Sequence, residues 1–102
     1  MDSLRSLRTD VKLEVAYEQA GRHVFLPAVN MSASGIFLAA PERPRLGDRV
    51  QLVISLPPDG AFLRLRALVV RHSRQSEPNG FALCFEGIDE RSERMLANYL
   101  DG

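Results

Sequence analysis

The alternation of apolar and polar residues along the chain predicts a protein built mainly from β-strands. In the first such segment, apolar or aromatic residues from Val11 to Tyr17 occupy every second position, the period of a strand with one buried face. Similar short segments recur along the chain, separated by turn signals such as Ala20-Gly21 and Pro57-Pro58-Asp59-Gly60. The pattern predicts six strands, at residues 11–17, 22–29, 35–39, 50–56, 63–70 and 81–85.

One of these strands contains a proline. Pro27 lies inside the second predicted strand, and proline has no N–H group to donate to a neighbouring strand. We therefore expect this strand to be bulged near Pro27 or to lie at an edge there.

The last segment of the chain changes from the period of a strand to that of a helix. Asp89 is suited to cap a helix that begins at Glu90, and Met95, Leu96, Tyr99 and Leu100 then form one apolar stripe. Six short strands followed by one helix indicate an all-β domain, either a small antiparallel barrel or a sandwich. We expect the stripe to plug or flank the sheet.

Composition and charge narrow the class of protein. A chain of 102 residues with 45% hydrophobic residues fits one globular domain. The 13 basic and 13 acidic residues cancel, which argues against a protein that coats nucleic acid through excess positive charge. All the basic residues except Lys12 are arginines, and the planar guanidinium group can stack on rings and form paired hydrogen bonds.

Several kinds of chemistry have no signature in the sequence. His23, His72 and the single Cys84 lack the spacing of metal ligands, and no catalytic motif is present, so we expect neither an enzyme nor a metal or cofactor site. No signal peptide or apolar stretch of membrane-spanning length occurs, so we expect a cytoplasmic protein without membrane insertion. Cys84 lies in an apolar run and is predicted to be a small core residue.

One loop carries residues suited to ligand binding. The segment from Asn30 to Gly35 places an amide, a hydroxyl and a glycine at its first, third and sixth positions. One interpretation is a tight turn between two strands that ends in glycine. The other is a loop that offers the amide of Asn30, the hydroxyl of Ser32 and an approachable backbone to a ligand. Arg5 and Arg8 lie upstream of it, on the segment that leads into the first strand.

Several motifs, in the order in which they occur along the chain, resemble those of PilZ domains, which are bacterial receptors for the second messenger cyclic di-GMP. The resemblance covers nearly the whole chain: an N-terminal arginine pair, Asn-x-Ser-x-x-Gly, Val69-Val70-Arg71, and a Gly-x-x-x-x-Phe strand from Gly80 to Phe85. It implies a six-stranded antiparallel β-barrel, a PilZ-like split barrel, with one C-terminal α-helix. Residues 1–10 would form a flexible, arginine-bearing switch loop, and residues 11–102 the barrel domain.

The resemblance also implies a ligand and its site. Arg5 and Arg8 would bond phosphates and guanine edges, and Asn30 and Ser32 would hydrogen-bond guanine and phosphate. Arg71 would add a stacking surface by analogy. The implied cyclic di-GMP site consists of Arg5, Arg8, Asn30, Ser32, Gly35 and Arg71. Binding would be relayed to an unidentified partner protein in motility, biofilm or related signalling.

The sequence departs from the family pattern at its N-terminus. The chain has Arg5-Ser6-Leu7-Arg8, whereas the family has three residues between the arginines. If the first strand sets the register, Arg8 matches the second family arginine and the first falls on Leu4.

Two other hypotheses remain open. The chain could be a degenerate PilZ adaptor that binds no nucleotide and acts through protein contacts in pilus or motility regulation. A third hypothesis uses a basic face for nucleic acid or another partner, made of Arg64, Arg66, Arg71 and Arg74.

Overall fold

Six strands and one helix make up most of residues 8–101, the part of the chain that the computed structural model describes. The elements are β1 (Thr9–Gln19), β2 (Arg22–Met31), β3 (Gly35–Ala39), β4 (Arg49–Leu56), β5 (Ala61–His72), β6 (Gly80–Glu86) and α1 (Glu90–Asp101). All six predicted strands and the predicted helix are present. Most strands run slightly beyond the predicted ends, because backbone pairing continues past the last alternating apolar residue.

The strands close into a barrel in the order β1-β2-β3-β6-β5-β4. Every neighbouring pair is antiparallel, and β1 closes the barrel on β4 by pairing Val15 with Ile54. The structure therefore confirms the six-stranded antiparallel barrel with one C-terminal helix, and it excludes the sandwich.

The barrel interior is filled by the residues that the alternation predicted to face inward. Val15, Leu52 and Leu83 are fully buried in one continuous hydrophobic core. The helix adds Leu96, which has no exposed surface and belongs to the same core. Asp89 caps this helix, since its Oδ1 accepts a hydrogen bond of 2.7 Å from the backbone N–H of Ser92. The predictions for the cap and the apolar stripe are thus confirmed.

Pro27 lies where β2 is paired on one side only. It stands opposite Glu14 of β1, while the pairing of β2 with β3 begins only at Ala28. The missing N–H of the proline therefore removes no hydrogen bond between β2 and β3, as the sequence predicted.

Irregularities in two strands change which side chains face outward. The register of β2 against β3 shifts between Ala28 and Asn30, and that of β5 against β6 shifts between Val69 and Arg71. Ala28 and Val69 both lie in the core, so strict alternation would send Asn30 and Arg71 into the core as well. The shifts instead turn both polar side chains outward, the effect for which β-bulges are found beside binding sites.

The prediction that Cys84 is a core residue is wrong. Cys84 is exposed, because its neighbour Leu83 takes the inward position on β6. The apolar run concealed this alternation, since Ala82 and Cys84 are apolar residues that face outward.

We predict that Gly35→Ala destabilises the barrel. A Cβ atom at this position would overlap the carbonyl oxygen of Leu83 on the neighbouring strand β6, so the paired strands must separate, at a cost of about 2–3 kcal/mol. Gly21→Asn is the control, because Gly21 has φ +79 with nothing within 4 Å of an added Cβ and Asn tolerates this conformation. Urea unfolding measures both, and equal midpoints for the two variants would contradict the prediction.

Candidate functional site

Four side chains form a row across the outer surface of β2, β3, β6 and β5. Asn30 pairs with Phe37, Phe37 with Ala82, and Ala82 with Arg71. Directly opposed residues in a sheet point to the same face, so the two polar residues flank an aromatic ring. We call this surface the Phe37 face.

Arg8 reaches the Phe37 face from the start of β1. Its Nη1 donates a hydrogen bond of 2.9 Å to Oδ1 of Asn30, a residue 22 positions later in the chain. Partial burial of the guanidinium group lowers the pKa of Arg8, and the nearby positive charge of Arg71 lowers it further. The two positive charges therefore act on each other, although Arg8 contacts Asn30 at one end of the row and Arg71 stands at the other end.

Phe37 is buried even though it lies outside the barrel core. It has no exposed surface, and the guanidinium carbon of Arg71 lies 5.8 Å from the centre of its ring. This distance falls within the range of a cation–π interaction. Arg71 thus lies over the ring of Phe37.

Glu77 binds the hydrogen-bonding edge of Arg71. Nη1 and Nη2 of Arg71 donate to the two carboxylate oxygens of Glu77 at 2.7 and 2.8 Å. Glu77 Oε1 also accepts 2.7 Å from the backbone N–H of Arg74. The bonds from Arg71, ahead of that from Arg74, lower the pKa of Glu77 from 4.5 to about 2. Glu77 is therefore fully ionised at neutral pH.

Ser32 closes the loop between β2 and β3. Its Oγ accepts hydrogen bonds from the backbone N–H groups of Ser34 and Gly35, both at 3.2 Å, and its own N–H donates to the Gly35 carbonyl. Ser32 is only 1% exposed. The turn interpretation of this loop is therefore correct for Ser32 and Gly35, while Asn30 is the residue of the motif that engages Arg8.

The structure brings part of the predicted site together. Arg8, Asn30 and Arg71 lie around Phe37, with the Ser32–Gly35 loop following Asn30 along the chain. Arg5 lies outside the described residues.

The predicted basic face, by contrast, is divided, because two of its arginines lie far along β5 from Arg71. Arg64 and Arg66 stand opposite Val53 and Gln51 of β4, roughly 23 and 16 Å along β5 from Arg71. Arg71 is itself paired with Glu77. The four arginines therefore do not form one continuous cationic surface.

Sequence reasoning missed two residues of the site. Phe37 lies between Ile36 and Leu38, which both face the core, so the alternation contained the signal that Phe37 faces outward. Glu77 had no such signal, because it lies in the connection between β5 and β6 and meets Arg71 only through the path of that loop.

Within residues 8–101, no helix is long and apolar enough to cross a membrane. The same part of the chain has no group of three or more His, Cys, Asp or Glu side chains that could hold a metal ion.

Comparison with protein families gives one match that covers almost the whole chain. Residues 4–102 match the family model described as the PilZ domain. A search of curated proteins gives no significant match.

Solved structures show the same fold. The motility inhibitor MotI/DgrA of Bacillus subtilis superposes with a TM-score of 0.77 at 25% identity, and the match covers 92% of this chain. The chain spans only 47% of the length of that protein. The PilZ domain of YcgR from Escherichia coli, solved with c-di-GMP, has a TM-score of 0.74 at 14% identity, over 93% of this chain and 86% of that one.

A third structure matches over nearly its full length. The PilZ domain of CeSA from a cellulose-synthesising bacterium has a TM-score of 0.71 at 18% identity, covering 95% of this chain and 97% of that domain. At such identities the likeness to YcgR and CeSA establishes the shared fold.

We predict that the Arg71–Glu77 pair makes stability depend on pH in the acid range. Because folding lowers the pKa of Glu77 from 4.5 to about 2, its ionised form stabilises the fold above pH 4.5, and this contribution is lost as the pH falls towards 2. At pH 7 the free energy of unfolding of the wild type should exceed that of Glu77→Gln by about 1–2 kcal/mol. Urea unfolding at several pH values should show this gap closing between pH 4.5 and 2.

The control for this prediction is Glu90→Gln. Glu90 pairs with Arg94 at 3.5 Å, but its side chain is 89% exposed, so the free energy of unfolding of this variant at pH 7 should differ little from that of the wild type. A wild-type advantage over Glu77→Gln that does not change with pH would contradict the assignment.

Proposed function

The chain belongs to the PilZ domain family, and from this premise we propose that it is a receptor for cyclic di-GMP. The ligand would bind on the Phe37 face through Arg5, Arg8, Asn30, Ser32, Gly35 and Arg71. The main supporting observation is the 2.9 Å hydrogen bond from Arg8 to Asn30, because it joins the N-terminal arginine motif to the Asn-x-Ser-x-x-Gly motif.

The chemistry of this surface suits a nucleotide with two phosphates. A guanidinium group can form paired hydrogen bonds with a phosphate or with the O6 and N7 atoms of guanine. The guanidinium groups of Arg8, Arg71 and Arg74 lie near the carboxylate of Glu77, and a second carboxylate, that of Asp10, stands opposite Asn30 on β1. Arginines therefore outnumber carboxylates on this surface, which favours an anionic ligand.

Binding on this surface offers a route to a partner protein. Arg8 immediately precedes β1, so a ligand that engages Arg8 and Asn30 would hold the N-terminal segment against the ends of β1 and β2. We propose that the partner recognises the surface that the bound ligand forms there together with Arg8 and Asn30.

A second candidate function is that of an adaptor that acts through protein contacts without nucleotide. It is favoured by the short Arg-x-x-Arg spacing and by two outward phenylalanines, Phe25 and Phe62, which are 72% and 68% exposed. Exposed aromatic side chains are enriched in protein interfaces. The titration below distinguishes the two functions.

We predict that isothermal titration calorimetry detects cyclic di-GMP binding to the wild type and that Arg8→Ala weakens it at least about tenfold. Arg8→Lys should also lose affinity, because a lysine keeps the charge but cannot form the paired hydrogen bonds of a guanidinium group.

The matched control is Arg22→Ala. Arg22 is also exposed, but it lies at the β1–β2 turn, at the far end of β1 from Arg8, so the affinity should not change. If the wild type releases no heat at high micromolar ligand, the receptor function is wrong and the adaptor function is favoured.

A further inference from the structure

The ion pair between Arg71 and Glu77 occupies the Phe37 face itself. The side chains of Arg71 and Glu77 are only 26% and 21% exposed, unlike the pair of Arg94 and Glu90 on the helix, whose side chains are 70% and 89% exposed. Sheltered, bidentate pairs are held more firmly than exposed ones, which contribute little. Glu77 is therefore a fixed part of the surface.

Glu77 takes the atoms of Arg71 that an anionic ligand would need. Nη1 of Arg71 donates to Glu77 and to the carbonyl oxygen of His72, and Nη2 donates to the second oxygen of Glu77. A phosphate or a guanine edge binds a guanidinium group through this same pair of nitrogens. A ligand that uses both of them must first displace the carboxylate.

The negative charge of Glu77 acts on Arg8 as well as on Arg71. It raises the pKa of Arg8 and so offsets part of the effect of the neighbouring Arg71. In the free protein, Glu77 thus helps the arginines to lie close together. Towards an incoming dianion the same carboxylate is a repulsive charge.

We propose that Glu77 determines the affinity of this surface for its ligand by competing with the ligand's anionic groups for Arg71. This inference rests on the proposed function and adds a residue that opposes binding to those that favour it. Glu77 lies in the loop between β5 and β6, outside the motifs that resemble the family pattern.

Glu77→Gln tests the competition with little change to the loop. The amide oxygen of glutamine can still accept the hydrogen bond from the backbone N–H of Arg74, which Glu77 Oε1 accepts in the wild type. The variant loses the negative charge and the second acceptor for Arg71. We expect it to bind cyclic di-GMP about tenfold more tightly than the wild type at low salt, and we expect this gain to shrink as salt screens the charges.

A matched control removes the same charge elsewhere. Glu18 lies near the far end of β1, where it contacts Nδ1 of His23 at 3.4 Å. Glu18→Gln changes the net charge of the chain by the same amount, so it should alter the affinity less than about twofold if the effect is local. A gain in this control equal to that of Glu77→Gln would overturn the inference, because net charge alone would then explain it.

The experiment is isothermal titration calorimetry of cyclic di-GMP into the wild type, Glu77→Gln, Glu18→Gln, Arg71→Ala and the double variant Arg71→Ala/Glu77→Gln. If Glu77 acts through Arg71, the double variant should bind no more tightly than Arg71→Ala. An equal gain in both backgrounds would overturn the competition for Arg71. Two-dimensional amide spectra verify folding, and Glu77→Ala replaces Glu77→Gln if the latter does not fold.

The outcomes separate this inference from the proposed function. If the wild type binds and Glu77→Gln binds equally or more weakly, the inference fails while the receptor function stands. If only Glu77→Gln binds, the inference is supported and the native chain is not a receptor under these conditions. If neither binds, both are contradicted.

Discussion

The outward turn of two polar side chains, at register shifts in β2 and β5, is the constraint on which the candidate site depends. Without these shifts, Asn30 would follow Ala28 inward and Arg71 would follow Val69 into the core. An unpaired amide or guanidinium group in that core would be strongly destabilising. With the shifts, both groups flank Phe37 on the outer surface, and Arg8 can reach Asn30.

The strands were predictable because the barrel core is built from alternating apolar residues, such as those of β1 and β4. The helix was predictable from its Asp89 cap and from the stripe that contains Leu96. Alternation could not reveal the register shift beside Arg71, because an inserted residue reverses the facing of later residues without a distinctive sequence. The same limitation applied to Cys84, since an apolar run conceals which of its residues face outward.

The candidate site was predictable only in part, for a similar physical reason. Asn30, Ser32 and Gly35 lie within six consecutive residues, at the end of β2, in the connecting loop and at the start of β3, so their proximity followed from the sequence. The contact between Arg71 and Glu77 depends on the path of the β5–β6 loop, which no periodicity describes. The zero net charge of the chain likewise conceals a surface where arginines outnumber carboxylates, and this local excess is what a small dianionic ligand would meet.

Amide chemical shifts mapped during a titration with cyclic di-GMP would show whether the nucleotide binds on the Phe37 face, as we propose. We expect the largest changes at Asn30, Gly35 and Arg71, with little change at Gly21 in the β1–β2 turn. If the spectrum does not respond to the nucleotide, or if its largest changes lie at that turn, the nucleotide does not bind on the Phe37 face.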